Sequence, residues 1–269
     1  MQIKFLPERA LLMESRSKGQ GGEKTLVIAD LHIGLELELS KKGITLPPQL
    51  PLLEKRIGLL LEQTKATRLI LLGDIKHETT GISWSELWDV PEFLQRLKKK
   101  ARTEIVKGNH DGGIEGIVPA DIKVHEPSGL LLGDVLLAHG QAWPHITSAE
   151  AKAKTLIIGH IHPAVEFWSS GARQAEHVFL KAAIDRKALE KRFKTKSIAL
   201  KNAIIMPTFN LLMGGVAFNS ERFKPSGPLL EKVIEWKKAQ VWLLDGTFLG
   251  TLDKMKIRKK KEKSKLRLL

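Results

Sequence analysis

Apolar residues in this chain come in short blocks. Ala10–Glu14, Thr25–Ala29, Arg68–Leu72, Thr103–Val106, Val135–Ala138 and Thr155–Ile158 are compact, β-rich runs, with later ones at Ala203–Met206 and Gln240–Leu244. Such runs predict strands. Between the first two lies Ser15–Lys24, which holds Gly19, Gln20, Gly21 and Gly22 and predicts a hairpin with a long, mobile loop. A different period governs Pro51–Ala66: Leu52, Leu53, Ile57, Leu60 and Leu61 recur near every 3.6 residues, so a helix follows Pro47-Pro48. A second helix is expected over Pro91–Ala101, with Pro91 in its first turn and Lys98-Lys99-Lys100 at its C-terminal end. Trp84, Trp88, Pro91 and Phe93 are expected to cover the core beneath a long loop. Strands alternating with helices predict an α/β fold with a βαβ core, and the strand-dense second half predicts added antiparallel pairing.

At 269 residues the chain is long enough for a substantial core, and 42% apolar with 28% charged residues is an ordinary globular composition. It has no cysteine, which excludes disulfides, thiolate metal sites and a cysteine nucleophile. The apolar runs are too short to span a bilayer, and Met1–Phe5 opens no apolar signal core, so a cytoplasmic location is expected. Net charge is +14, and 254–269 alone carries nine Lys or Arg against one Glu. That tail, with Lys256, Arg258, Lys259, Lys260 and Lys261 at its centre, suits either a polyanion such as nucleic acid or a solubilising surface. A second basic stretch, 186–201, reads as an inserted helix or loop. The remaining residues, 1–253, are expected to form one domain.

Five of the apolar runs end in polar motifs: Asp30-Leu31-His32, Gly73-Asp74, Gly108-Asn109-His110-Asp111, His139-Gly140 and Gly159-His160-Ile161-His162. Strand C-termini are where open α/β sheets bind ligands. Two carboxylates, an amide and several imidazoles make an O/N donor set without sulfur, which fits Mn²⁺, Fe or Zn²⁺ better than Ca²⁺. If the exits stay extended, Asp30 with His32 and His160 with His162 each point at one volume. Asp74, between the flanking motifs, is the natural carboxylate to bridge two cations. Each motif alone also occurs as a turn, a cap or a core histidine; the ordered set carries the expectation of a metal site.

That ordered set resembles the calcineurin-like metallophosphoesterase superfamily over roughly residues 25–165. More narrowly, the chain is similar to the SbcD-related archaeal phosphoesterases and the bacterial ligase-associated DNA-damage endonucleases. This second likeness rests on Ala29–Gly34, Gly43–Pro47, Gly73–Glu78, Met206–Asn210 and Gly214-Gly215. The resemblance implies a four-layer α-β-β-α sandwich of two mixed sheets flanked by helices. It implies two divalent ions, Mn²⁺ first, one held by Asp30, His32, Asp74 and His162 and the other by Asp74, Asn109, His139 and His160. It assigns His110 as the catalytic acid, and Asp111 is expected to orient that imidazole. The implied activity is a two-metal phosphodiesterase acting on DNA in repair, with a helicase or ligase-system partner. The alternatives are a small nucleotide or phosphodiester as substrate, or a helicase-associated scaffold. The chain has no room for the capping and dimerisation domains of the large repair nucleases, which argues against processive exonuclease action with an ATPase partner.

Overall fold

The computed structural model describes residues 1–15, 22–169 and 172–255. In the first of two sheets, β1 (Gln2–Leu6), β2 (Ala10–Glu14), β3 (Lys24–Ile28), β4 (Arg68–Leu72), β5 (Arg102–Val106) and β6 (Lys123–His125) lie side by side in chain order. β1, β2 and β3 form an antiparallel meander, and β3 through β6 are parallel. The connections carry α1 (Leu35–Lys41), α2 (Leu50–Thr64) and α3 (Trp84–Lys98).

The second sheet holds β7 (Leu130–Leu132), β8 (Val135–Leu137), β9 (Thr155–Ile158), β10 (Pro163–Ser169), β11 (Ala172–Ala183), β12 (Asn202–Ile205), β13 (Val216–Ala217), β14 (Gln240–Leu243) and β15 (Phe248–Thr251). Its order is β13-β10-β11-β12-β9-β8-β7, with β14 pairing β11 and β15 pairing β14. β8, β9 and β12 run parallel, while β10–β11, β11–β12 and β11–β14 are antiparallel.

Side-chain alternation along the strands separates three cores. Val27, Ile70, Leu72 and Val106 face Leu137, Ile157, Phe179 and Ile204 between the sheets. Leu26, Ile28, Leu69 and Leu71 point the other way, onto Leu53, Ile57 and Leu60 of α2 and Phe93, Leu94 and Leu97 of α3. The far face of the second sheet is covered by α4 (Arg186–Phe193), α5 (Pro228–Lys232) and their loops, through Leu189, Ile198, Leu200, Leu229 and Leu230. The result is the expected four-layer sandwich of two mixed sheets, with a thin outer layer on the second sheet. Each fully buried Leu, Ile or Phe contributes about 1.5–3 kcal/mol, so the strand ends stand on a firm base. No helix among the described residues is long and apolar enough to cross a membrane.

Two expectations change. The second helix begins at Trp84, not Pro91, because Ser83 and Glu86 form a reciprocal capping box, and Pro91 sits inside the helix. Phe93 is buried, but Trp84 and Trp88 are 78% and 64% exposed and do not cover the core. The 186–201 stretch is a helix followed by a loop, as expected, and buries Leu189, Ile198 and Leu200 in the outer layer. Gly19–Gly21 and the basic residues Lys256, Arg258, Lys259, Lys260 and Lys261 lie outside the described residues.

Candidate metal centre

Five strand exits meet at one end of the sandwich. Those of β3 and β4 stay paired beyond the sheet: Asp30 N donates to Gly73 O (3.1 Å) and His32 N to Asp74 O (2.9 Å). This places Asp30 and His32 beside Asp74. The chain is not extended there. Asp30, His32, Asp74, His160 and His162 all have positive φ (61°, 45°, 51°, 66° and 48°), five of the eight such non-glycine residues among those described. The left-handed region costs an ordinary L-residue about 1–2 kcal/mol, and such strain persists where the surroundings enforce it.

After β12, Thr208 Oγ1 donates to Asp30 O (2.9 Å), Asn210 Nδ2 to Leu31 O (2.7 Å) and Phe209 N to Ala29 O (2.9 Å). Arg56 holds that loop by donating to Phe209 O at 2.8 Å and lying over the Phe209 ring. Neighbouring exits also pack without a side chain between them. A Cβ on Gly73 would fall 2.1 Å from His139 Nδ1, and one on Gly108 would fall 2.2 Å from Asp74 Oδ1.

The donors form three groups: Asp30, His32 and His162; Asp74, His139 and His160; and His32, His77 and His110. Within each group the donor atoms lie within 4.8 Å of one another. Asp74 Oδ2 is 3.2 Å from His139 Nε2 and 3.7 Å from His32 Nε2, so it touches both of the first two groups. Asp30 does so as well, with Oδ1 3.2 Å from His162 Nε2 and 3.7 Å from His139 Nε2. The Nε2 atoms of His32, His139 and His162 are buried and accept no hydrogen bond. Unpartnered buried nitrogens facing two buried carboxylates fit divalent cations, which would supply the missing partner.

The electrostatics of this cluster divide its histidines. Burial alone would lower the His139 pKa, but Asp74 and Asp30 outweigh it and hold it at about 9. Its Nδ1 donates to Leu72 O at 2.9 Å, which aims Nε2 at the carboxylates. Burial pushes His32 down to about 3 despite Asp30 and Asp74, and burial with the His139 charge pushes His160 to about 4. Burial would raise Asp30 and Asp74, yet both are lowered, Asp30 chiefly by His162 and Asp74 chiefly by His139. Neutral imidazoles and ionised carboxylates are the forms that bind metal; His32, His160, Asp30 and Asp74 already hold them near neutral pH, and His139 would release its proton to a bound cation.

A sequence model of the calcineurin-like phosphoesterase family matches residues 23–194. The chain belongs to that family. It is therefore a hydrolase of phosphoester bonds, in a family that uses divalent metals. Among solved structures, this family member resembles the nuclease MPE of Pseudomonas putida, with 22% identity and a TM-score of 0.57 over 92% of this chain and 94% of that one. It also matches the YfcE phosphoesterase from E. coli at 15% identity and a TM-score of 0.38, over 84% and 96% of the two chains. No curated protein matches it significantly in sequence.

Of the residues expected in the phosphoesterase site, Asp30, His32, Asp74, His139, His160 and His162 converge. The extended-strand reasoning behind that convergence does not hold, since left-handed turns do the work and His160 and His162 fall in different groups. Asn109 is exposed at the rim, between Gly108 and a His110 amide that donates to Asp74 Oδ1 at 2.9 Å. Asp111 does not orient His110. Its buried carboxylate accepts from Ile75 N and Gly108 N, both at 2.8 Å, and so ties the β4 exit to the β5 exit.

The His110 ring is set instead by its Nδ1, which donates to His77 O. His77 itself was not expected among the ligands. Its Nε2 meets Glu38 of α1, and its Nδ1 faces His32. Glu86 completes the surround: its buried carboxylate accepts from His77 N, Glu78 N and Ser83 N, each at 2.8 Å. The capping-box pattern Ser83-x-x-Glu86 was the available signal for that residue; Glu38 had none.

Proposed function

We propose that the chain is a phosphodiesterase that works with two divalent cations, Mn²⁺ preferred, and that its substrate is DNA. The observation that carries the metal half is the trio of unpartnered imidazole nitrogens around Asp30 and Asp74. Asp30, His32, Asp74 and His162 would hold one ion, and Asp74, Asn109, His139 and His160 the other. Bound there, divalent cations neutralise phosphoryl oxygens and lower the pKa of water, so that a nucleophile exists near neutral pH.

The protein's own residues do the rest. Because a carbonyl only accepts, His110 Nδ1 carries a hydrogen, which leaves Nε2 to give up a proton when the ring is cationic. Nε2 lies 3.8 Å from Asp74 Oδ2, at the mouth of the donor cluster, and is placed to protonate the departing ester oxygen. Asp111, Glu86 and the Thr208–Asn210 loop hold the donors in place.

DNA as substrate is supported by the net charge of +14, by the basic segment 254–269 and by the narrower sequence resemblance. The same resemblance supports a repair role beside a helicase or ligase-system partner. A small nucleotide is the second reading, favoured by a cavity of about 500 Å³ that opens at His110.

The test loads metal-stripped protein with Mn²⁺, Fe²⁺, Zn²⁺ or Mg²⁺ and assays an aryl phosphodiester and single-stranded DNA in parallel. Mn²⁺ should restore hydrolysis of both. Hydrolysis of the aryl ester alone would leave the small-substrate reading. Deleting 256–269 should weaken DNA binding and flatten its salt dependence, and an unaltered slope would remove that segment from the interface.

A further inference from the structure

Two tryptophans stand in water beside this site. Trp84 is 78% exposed and Trp88 64%, one helical turn apart on α3, with ring centroids 6.3 Å apart and planes at 70°. Large indoles in contiguous exposed patches mark binding surfaces more often than ordinary surface. Trp84 also lines the cavity of about 500 Å³ whose wall includes His77 and His110. Candidate catalytic imidazole and exposed indole thus border one continuous space.

The mount is rigid. Trp84 is the first residue of α3, directly after the Ser83 cap, and Glu86 fixes that helix end. The same carboxylate accepts from His77 N and Glu78 N, and it lies against Gly34 at the start of α1. Glu86 is 1% exposed, so one buried group locks the helix bearing the indoles to the loop bearing His77.

The chemistry of the walls narrows the occupant. The acidic groups that line the cavity are already engaged: Glu38 with Lys42 and His77, Glu86 with backbone amides, and Glu78 with Thr79 and Thr80. Lys41 lines the cavity and offers positive charge. A strand bound with a phosphodiester at His110 would pass through the cavity that Trp84 lines. Duplex DNA keeps its base faces stacked within the helix and has none to offer. An unpaired base does.

Building on the proposed DNA substrate, we infer that Trp84, supported by Trp88, is a stacking platform for the bases of a single-stranded nucleic acid threaded to the site. Base–aromatic stacking is tolerant of sequence, so the platform selects strandedness rather than a motif.

The test uses full-length Mn²⁺-loaded protein carrying His110→Ala, so that strands stay intact, and reads fluorescence anisotropy of a labelled oligothymidine. An abasic strand of equal length and a duplex serve as comparison ligands. Adding Trp84→Ala should weaken oligothymidine binding about 5- to 150-fold, with little change for the abasic strand or the duplex. Trp84→Phe should recover most of the loss. Undiminished oligothymidine affinity in Trp84→Ala, beside a wild type that binds and cleaves DNA, would overturn the platform alone and leave the patch to a protein partner. Equal loss on the abasic strand would also overturn it. Failure of the wild type to bind or cleave any DNA, while it hydrolyses the aryl ester, would overturn the DNA substrate and the platform together.

Discussion

The Nδ1 atoms of His32 and His77 lie 3.4 Å apart. Glu38 can only accept from His77 Nε2, so His77 Nδ1 is the acceptor and His32 Nδ1 the donor. That arrangement leaves the lone pair of His32 Nε2 facing Asp74, and a carboxylate on α1 thereby sets the tautomer of a candidate ligand through two rings. Replacing His77 with Phe keeps the volume and removes the chain. Metal affinity, measured by chelator competition, should fall about 10- to 100-fold. An unchanged affinity would show that His32 takes its orientation from elsewhere.

Asp74, like Asp30, touches both of the groups that contain a carboxylate, and it alone of the two also accepts from the amide of His110. Asp74→Asn should cost the protein both ions in elemental analysis, because an amide oxygen is a poor bridge. Retention of two metals per chain would remove the bridging assignment.

His110→Ala should behave differently. Its ring touches the rim of the cluster rather than its floor, so metal content should stay near wild type while turnover of an aryl phosphodiester drops about 10²- to 10⁴-fold. Wild-type turnover would end its role as the acid.

Away from the site, Glu104 on β5 binds Arg68 of β4 at 2.7 Å and His125 of β6 at 2.8 Å, and it is 7% exposed. Burial would raise its pKa, but His125 and Arg68 outweigh it and hold it below the usual 4.5. A carboxylate lowered on folding stabilises the fold above its unfolded pKa, and the contribution fades as acidification passes its folded value. Glu104→Gln should therefore cost about 3 kcal/mol near pH 7 and much less below pH 4. Denaturant midpoints at the two pH values measure this. A gap that widened in acid would reverse the assignment.

How much of this was legible without coordinates differs from element to element. Strands β1, β6, β7, β10, β11, β13 and β15 were not read from the sequence, whereas strands buried on both faces, such as the run Leu69–Leu72, were clear from their unbroken apolar residues. The polar residues after them were equally plain. Their conformation was not: a left-handed Asp30 or His32 depends on the Thr208–Asn210 loop, which is remote in the chain. Helix α1 was hidden for another reason. Leu35-Glu36-Leu37-Glu38-Leu39 alternates with the period of a strand, and Gly34 and the packing around it make a helix instead. Glu38 was lost with it. The start of α3 was written in Ser83 and Glu86, and was masked by reading Pro91 as a first-turn residue.

The strained backbone at the five donors has a practical corollary for anyone hardening this protein. Glycine, or in some places asparagine, sits more comfortably at positive φ than His32 or His162 does. A library sorted only by survival after heating would therefore be drawn toward those replacements. Its winners would be sturdier and inert, so each round of selection has to score turnover alongside tolerance.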